Sequence, residues 1–148
     1  MKILFLHGLE SKPGGTKVKH LESAGHTIFN PAMPKYSLEE SIAIAQGVVD
    51  REWPDIIIGS SRGGAIASAI EKRGARLILI APAWKLYGIT PIIDSSTTVL
   101  HCPKDDIVPF EHTIELAEKT NIKIVECGTC HRMSDDSALT ALLEAVQI

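Results

Sequence analysis

Residues able to do chemistry fall in three places along the chain. The first is Gly59-Ser60-Ser61-Arg62-Gly63, a G-x-S-x-G pattern. A serine hydroxyl is a weak nucleophile until a neighbouring base takes its proton. The flanking glycines suit a sharp strand-to-helix turn that lifts the hydroxyl above its surroundings. The second place is His101-Cys102-Pro103-Lys104-Asp105-Asp106, which offers a carboxylate at Asp105 or Asp106. The third is Cys127-Gly128-Thr129-Cys130-His131, which offers the imidazole of His131. Serine, acid and histidine in that chain order suit acyl transfer. Ser61 would attack an acyl carbon, His131 would take its proton, and the carboxylate would hold the imidazole in the productive tautomer. The plainer alternative is a glycine-serine turn that only joins a strand to a helix.

Other chemistries fit less of the pattern. There is no G-x-x-x-x-G-K-[ST] phosphate loop, and no lysine flanks the glycines. No G-x-G-x-x-G follows the first apolar run, so a dinucleotide fingerprint is missing. Cys127-x-x-Cys130-His131 reads literally as a c-type haem attachment motif, but the opening residues do not read as an export signal. A thioredoxin-like dithiol should open a helix after an early strand, and this one does not. His101, Cys102, Cys127 and Cys130 stand near two neighbouring strand ends, yet C-x-x-C is only half of a usual zinc set. The expectation is no metal and no cofactor.

Positioning these groups requires a scaffold that brings distant segments together. Short β-rich runs occur at residues 3–6, 27–29, 56–58, 77–80, 98–100 and 123–125. The runs at 56–58 and 77–80 are continuously apolar, the mark of strands buried on both faces of a parallel sheet. Helix-period runs alternate with them. Val18 and Leu21 mark a helix that stops at Gly25. Ser37 and Glu40 form a capping box ahead of Leu38, Ile42, Ala45 and Val49. Ala65, Ile66, Ala69 and Ile70 predict a helix that ends at Gly74, and residues 111–119 one that carries Ile114 and Ala117. Leu139, Leu142, Leu143 and Val146 predict a last helix with Ser134 as its N-cap. This alternation of six strands with helices implies an α/β sandwich around a parallel sheet. The longest irregular stretch, residues 82–96, follows a strand's C-terminal end, where ligands bind in such sheets.

With 148 residues, the chain is read as a single domain over 1–148. Hydrophobic residues at 45% and charged residues at 22% exclude a disordered composition. A net charge of −3 with no basic stripe argues against nucleic acid or an anionic membrane as the main partner. The apolar runs are too short to span a bilayer. A cytoplasmic location with three reduced cysteines is expected.

The residues just described resemble the α/β-hydrolase superfamily over nearly the whole chain. The resemblance is carried by Leu6-His7-Gly8, the Gly59–Gly63 elbow, the H-x-x-x-D-x-x-V-P stretch beginning at His101, and the loop ending at His131. The chain looks like the small, capless bacterial members with predicted esterase activity. That resemblance implies Ser61 as nucleophile, His131 as general base and then acid, and Asp105 as the orienting acid, with Asp106 as fallback. It implies an oxyanion hole from the backbone N–H groups of Leu9 and Arg62. It also implies a minimal lidless fold: a three-layer sandwich with a six-stranded parallel sheet in the order 2-1-3-4-5-6, lacking the family's usual first two strands. Cys102, Arg62 and Cys130 depart from the residues common at those positions. The implied reaction is hydrolysis of small or short-chain carboxylic esters through an acyl-enzyme, with a small acyl compound as partner. Thioesters or amides suit the same triad. A non-catalytic interaction module on this fold would instead leave Ser61 unreactive.

Several nearby residues have two readings. His7 is read as a structural residue of the first turn. Glu10 could line the site or lie in a solvated loop. Arg62 could bind an anionic substrate or pair with a carboxylate near the elbow. Trp84 and Tyr87 could form an acyl or alcohol pocket or cover the sheet edge.

Overall fold

The three isoleucines at 56–58 and the run at 77–80 are buried throughout, with neighbours on both faces. They are the two central strands of a six-stranded sheet in a computed structural model that describes residues 1–147. The strands are β1 (Lys2–Leu6), β2 (Thr27–Phe29), β3 (Ile56–Ser60), β4 (Arg76–Ile80), β5 (Thr98–His101) and β6 (Lys123–Glu126). Every pairing is parallel, and the order is β2-β1-β3-β4-β5-β6, as expected. The helices are α1 (Thr16–Ser23), α2 (Leu38–Glu52), α3 (Arg62–Ala67), α4 (Phe110–Lys119) and α5 (Asp136–Gln147).

Successive strand residues point to opposite faces, so the continuous apolar runs feed two cores. Ile3, Phe5, Ile56, Ile58, Ile78 and Leu100 pack with Val18 and Leu21 of α1 and with Leu142 and Val146 of α5. Leu4, Leu6, Ile57, Leu77, Leu79 and Val99 pack with Val49 of α2, Ile66 of α3 and Leu116 of α4. Each fully buried Leu or Ile contributes about 1.5–3 kcal/mol relative to exposure. The result is the three-layer sandwich the pattern implies.

Three helices differ from their sequence signature. α3 stops at Ala67, well short of Gly74. The Ser68 hydroxyl donates to the Ala65 carbonyl, Ala69 N–H bonds the Ile66 carbonyl, and the Ser68 carbonyl accepts from Ile92 N–H. The backbone after Ala67 thus finds partners outside an α-helix. In α4 the inward residues are Thr113 and Leu116, while Ile114 faces solvent. In α5 the buried face is Ala138, Ala141, Leu142, Ala145 and Val146, with Leu139 and Leu143 at its margin. The alanines let this helix lie close on the sheet. Ser134 is not its N-cap: the helix starts at Asp136, Leu139 N–H bonds the Asp135 carbonyl, and the Ser134 hydroxyl turns back to Arg132. Ser37 does cap α2, its hydroxyl accepting from Glu40 N–H at 3.1 Å.

Residues 81–97, between β4 and β5, contain no helix. Among the described residues no helix is long and apolar enough to cross a membrane.

Two glycines give opposite expectations for stability. A Cβ on Gly63 would run into the backbone carbonyl of Leu6, whereas one on Gly47, inside α2, would meet nothing within 4 Å. Gly63→Ala should lose at least about 2 kcal/mol in urea denaturation. Gly47→Ala should gain about 0.8 kcal/mol, because alanine restricts the unfolded chain and favours helix.

Candidate active site

Ser61 sits where β3 turns into α3, with φ 56° and ψ −115°. A non-glycine residue at positive φ costs roughly 1–3 kcal/mol and persists only where its surroundings enforce it. Here they do. Ser61 N–H donates to the Ile80 carbonyl at 2.9 Å. The Ser61 carbonyl accepts from Gly64 and Ala65 in α3 and from Ala83 beyond β4. Gly59 and Gly63 have no room for a side chain, since each presses on backbone, and Gly64 lies against Pro82. The glycines of the motif therefore serve close approach.

His131 comes from the loop after β6. Its Nε2 lies 2.9 Å from Ser61 Oγ, and its Nδ1 donates to Asp105 Oδ2 at 2.7 Å. The loop is tied on several sides. Gly128 N–H donates to Ser137 Oγ, Thr129 N–H to Asp135 Oδ1, and Lys17 Nζ to the Arg132 carbonyl at 2.6 Å. Met133, buried at positive φ, anchors the loop in the core. Burial, and then the nearby Arg132 cation, pull the Lys17 ammonium down to about 8.

Asp105 follows β5, and its side chain is closed off from solvent. Oδ1 accepts from Ile107 and Val108 N–H, both at 2.8 Å. Oδ2 accepts from His131 and also from His101 Nε2 at 3.1 Å. Burial alone would raise the Asp105 carboxyl, but the His131 hydrogen bond and the two backbone donors outweigh it and hold it below the usual range. Asp106 is exposed. Asp105, not Asp106, reaches His131. The sequence offered no role for His101 beyond its place in the motif and a partial zinc set. The signal was its spacing, four residues before Asp105.

A Cβ on Gly8 would lie 3.4 Å from Ser61 Cβ, so the loop after β1 runs beside Ser61. Among the described residues the N–H groups of Leu9 and Arg62 make no hydrogen bond to a backbone carbonyl in the turns and loops. His7 is structural: its Nδ1–H donates to the Gly8 carbonyl at 2.8 Å, and its Nε2 accepts from Met33 N–H at 3.1 Å.

The other flanking side chains turn elsewhere. Arg62 is buried, donates to the Pro34 carbonyl and Ser41 hydroxyl, and stands 5.8 Å from the Tyr87 ring centre. Among the described residues it pairs with no carboxylate, and it is buried, so both readings of its charge give way to a third: its partners are neutral oxygens. Tyr87 covers this guanidinium. Trp84 packs on the core and donates through Nε1 to the His112 carbonyl at 3.2 Å. Glu10 is exposed, with Lys35 at 3.9 Å. Cavities of about 320 Å³, near Thr98 and Ala145, and about 350 Å³, near Ile28 and Val48, do not include Ser61. Among the described residues no three His, Cys, Asp or Glu side chains are placed to hold a metal ion.

No family model and no curated protein matches the sequence. Solved structures do match. Alpha/beta hydrolase domain-containing protein 10 from mouse is 17% identical, with a TM-score of 0.76 over 99% of this chain and 88% of that one. Est1E from Butyrivibrio proteoclasticus is 15% identical, with a TM-score of 0.74 over 99% of this chain and 85% of that one. A protein from Xanthomonas campestris described as a serine hydrolase without lid is 17% identical, with a TM-score of 0.70 over 99% and 80%. At such identities the likeness establishes architecture: the chain has the α/β-hydrolase fold, in a minimal, lidless form.

The cysteines should differ in reactivity. Cys102 is buried, Cys127 is pushed up to about 11 by burial and by Asp135, and Cys130 is exposed. The thiolate is the reactive form. At pH 8 a disulfide reagent should therefore modify Cys130 first, and Cys130→Ser should remove the fast phase. A fast phase that survives this change would refute the assignment.

Proposed function

We propose that the protein is a serine hydrolase that cleaves small or short-chain carboxylic esters through an acyl-enzyme. The observation that carries this reading is the continuous chain of hydrogen bonds from Ser61 Oγ through His131 to Asp105, assembled from the ends of three different strands. His131 takes the Ser61 proton as Oγ attacks the ester carbonyl, and Asp105 stabilises the imidazolium that forms. The N–H groups of Leu9 and Arg62 receive the negative charge on the tetrahedral oxygen. Collapse expels the alcohol, which takes its proton from His131. Water, activated by the same imidazole, then attacks the acyl-enzyme and releases the acid.

The preference for small acyl groups rests on the surroundings of Ser61. The helix-free segment between β4 and β5 carries no lid, and Trp84 and Tyr87 are occupied with packing. A long chain would gain little burial there. The likeness to a serine hydrolase without lid adds support to an open site.

The decisive test is intact-protein mass after exposure to a fluorophosphonate. One adduct on the parent and none on Ser61→Ala are expected. An unlabelled, folded parent would overturn the proposal and leave the interaction-module reading in its place. Asp105→Asn should lower turnover of an acetyl ester by roughly 10³–10⁴-fold, while Asp106→Asn should stay near the parent. Matched acetyl, octanoyl, thioester and anilide substrates should rank the acetyl ester first.

A further inference from the structure

Asp105 accepts two imidazoles on one oxygen, and the proposed reaction uses only one of them. His101 lies wholly out of solvent beneath the site, with its ring tilted against Phe110 at 5.3 Å between centres. Its Nε2 faces two acceptors, Asp105 Oδ2 and the Val108 carbonyl, each at 3.1 Å. A bare lone pair there would be repelled by both, so Nε2 carries the proton. Its Nδ1 faces the buried Thr113 hydroxyl at 2.7 Å. In a neutral ring that nitrogen is an acceptor, and the Thr113 hydroxyl donates to it. Resting on the reading of Ser61, His131 and Asp105 as the reacting groups, we propose that His101, set as its Nε2–H tautomer by Thr113 of α4, is a positioning residue that locks the Asp105 carboxylate in line with His131.

The geometry says what this lock does. Oδ1 is held by Ile107 and Val108 N–H, and Oδ2 by the two rings. Rotating the carboxylate breaks all four bonds at once, so Oδ2 stays where His131 needs it. A merely space-filling histidine could spend its N–H on the Val108 carbonyl alone. This one shares it with the same oxygen that bonds His131. It therefore also draws off part of the charge that Oδ2 presents to the imidazolium of His131. A charged His101 would still hold Oδ2, but as a second cation it would oppose protonation of His131. Burial, chiefly, favours the neutral ring and outweighs the attraction of Asp105; His131 pushes the same way. A histidine whose folded pKa is depressed costs stability as pH falls below its unfolded value of about 6.5, because the unfolded chain then binds the extra proton.

Two measurements test the proposal on the full chain. The first is ring ¹⁵N NMR of the parent, where His101 should show one neutral Nε2–H tautomer at neutral pH. An Nδ1–H tautomer or an imidazolium would overturn the proposal alone. The second is the rate of fluorophosphonate labelling of Ser61 across pH. His101→Phe should slow labelling roughly 10- to 100-fold, and its acid limb should move to higher pH because Oδ2 regains charge for protonated His131. His101→Gln, which keeps an N–H donor, should recover much of the rate. Thr113→Val should cost less than His101→Phe. Labelling of His101→Phe at the parent rate would overturn the proposal. So would equal slowing of His101→Phe and His101→Gln with an unmoved pH profile, which is the mark of packing alone. A parent that takes no label sinks the hydrolase reading itself.

Discussion

The site depends on backbone packed against backbone. Gly63 presses on the Leu6 carbonyl at the end of β1, and Gly59 on the Gly63 carbonyl across the turn. With no Cβ at either position, α3 begins directly over the ends of β1 and β3. That crowding leaves Ser61 only a positive-φ conformation, and the Ile80 carbonyl pins its N–H. The strain at Ser61 and the exposure of its hydroxyl thus share one cause, close approach at the glycines. The same approach lays the loop after β1 beside Ser61.

A second constraint acts at the carboxylate. A buried anion is tolerated only when its oxygens are filled. Asp105 meets that demand with two backbone N–H groups and two histidines, so the requirement of burial and the requirement of orientation are satisfied by the same bonds. Thr113 extends the arrangement into α4. That accounts for the turn of α4, which faces a threonine inward and Ile114 outward against the plain hydrophobic pattern.

Much of this was legible in the sequence because the relevant signals are local. Continuous apolar runs marked the buried parallel strands, and Ser37 with Glu40 marked the start of α2. The elbow showed itself through glycines whose spacing has a steric cause. Asp105 was legible only through the spacing of its motif, since Asp105 and Asp106 are chemically alike and differ in which one the turn buries. What stayed hidden depends on partners far along the chain. Arg62 looked like a charge at the site mouth, yet it is spent on the Pro34 carbonyl and the Ser41 hydroxyl. The early end of α3 depends on Ile92 N–H. His101 needed Thr113 and Asp105 in place before its role had any geometry.

His131 belongs to a different part of the sheet from Ser61. Ser61 stands at the end of a central strand buried at every residue but its last, while His131 follows β6, an edge strand paired only to β5 among the described residues and half-exposed along its length. Protection of backbone amides falls from centre to edge in such a sheet, and edge units open at a smaller free energy than the whole molecule. A fluctuation that frees β6 and the loop after it must also draw Met133 out of the core; where it does, the imidazole leaves while Ser61 and its elbow stay folded. The hydrogen bonds that join Ser61, His131 and Asp105 are therefore only as stable as the local fold of this edge.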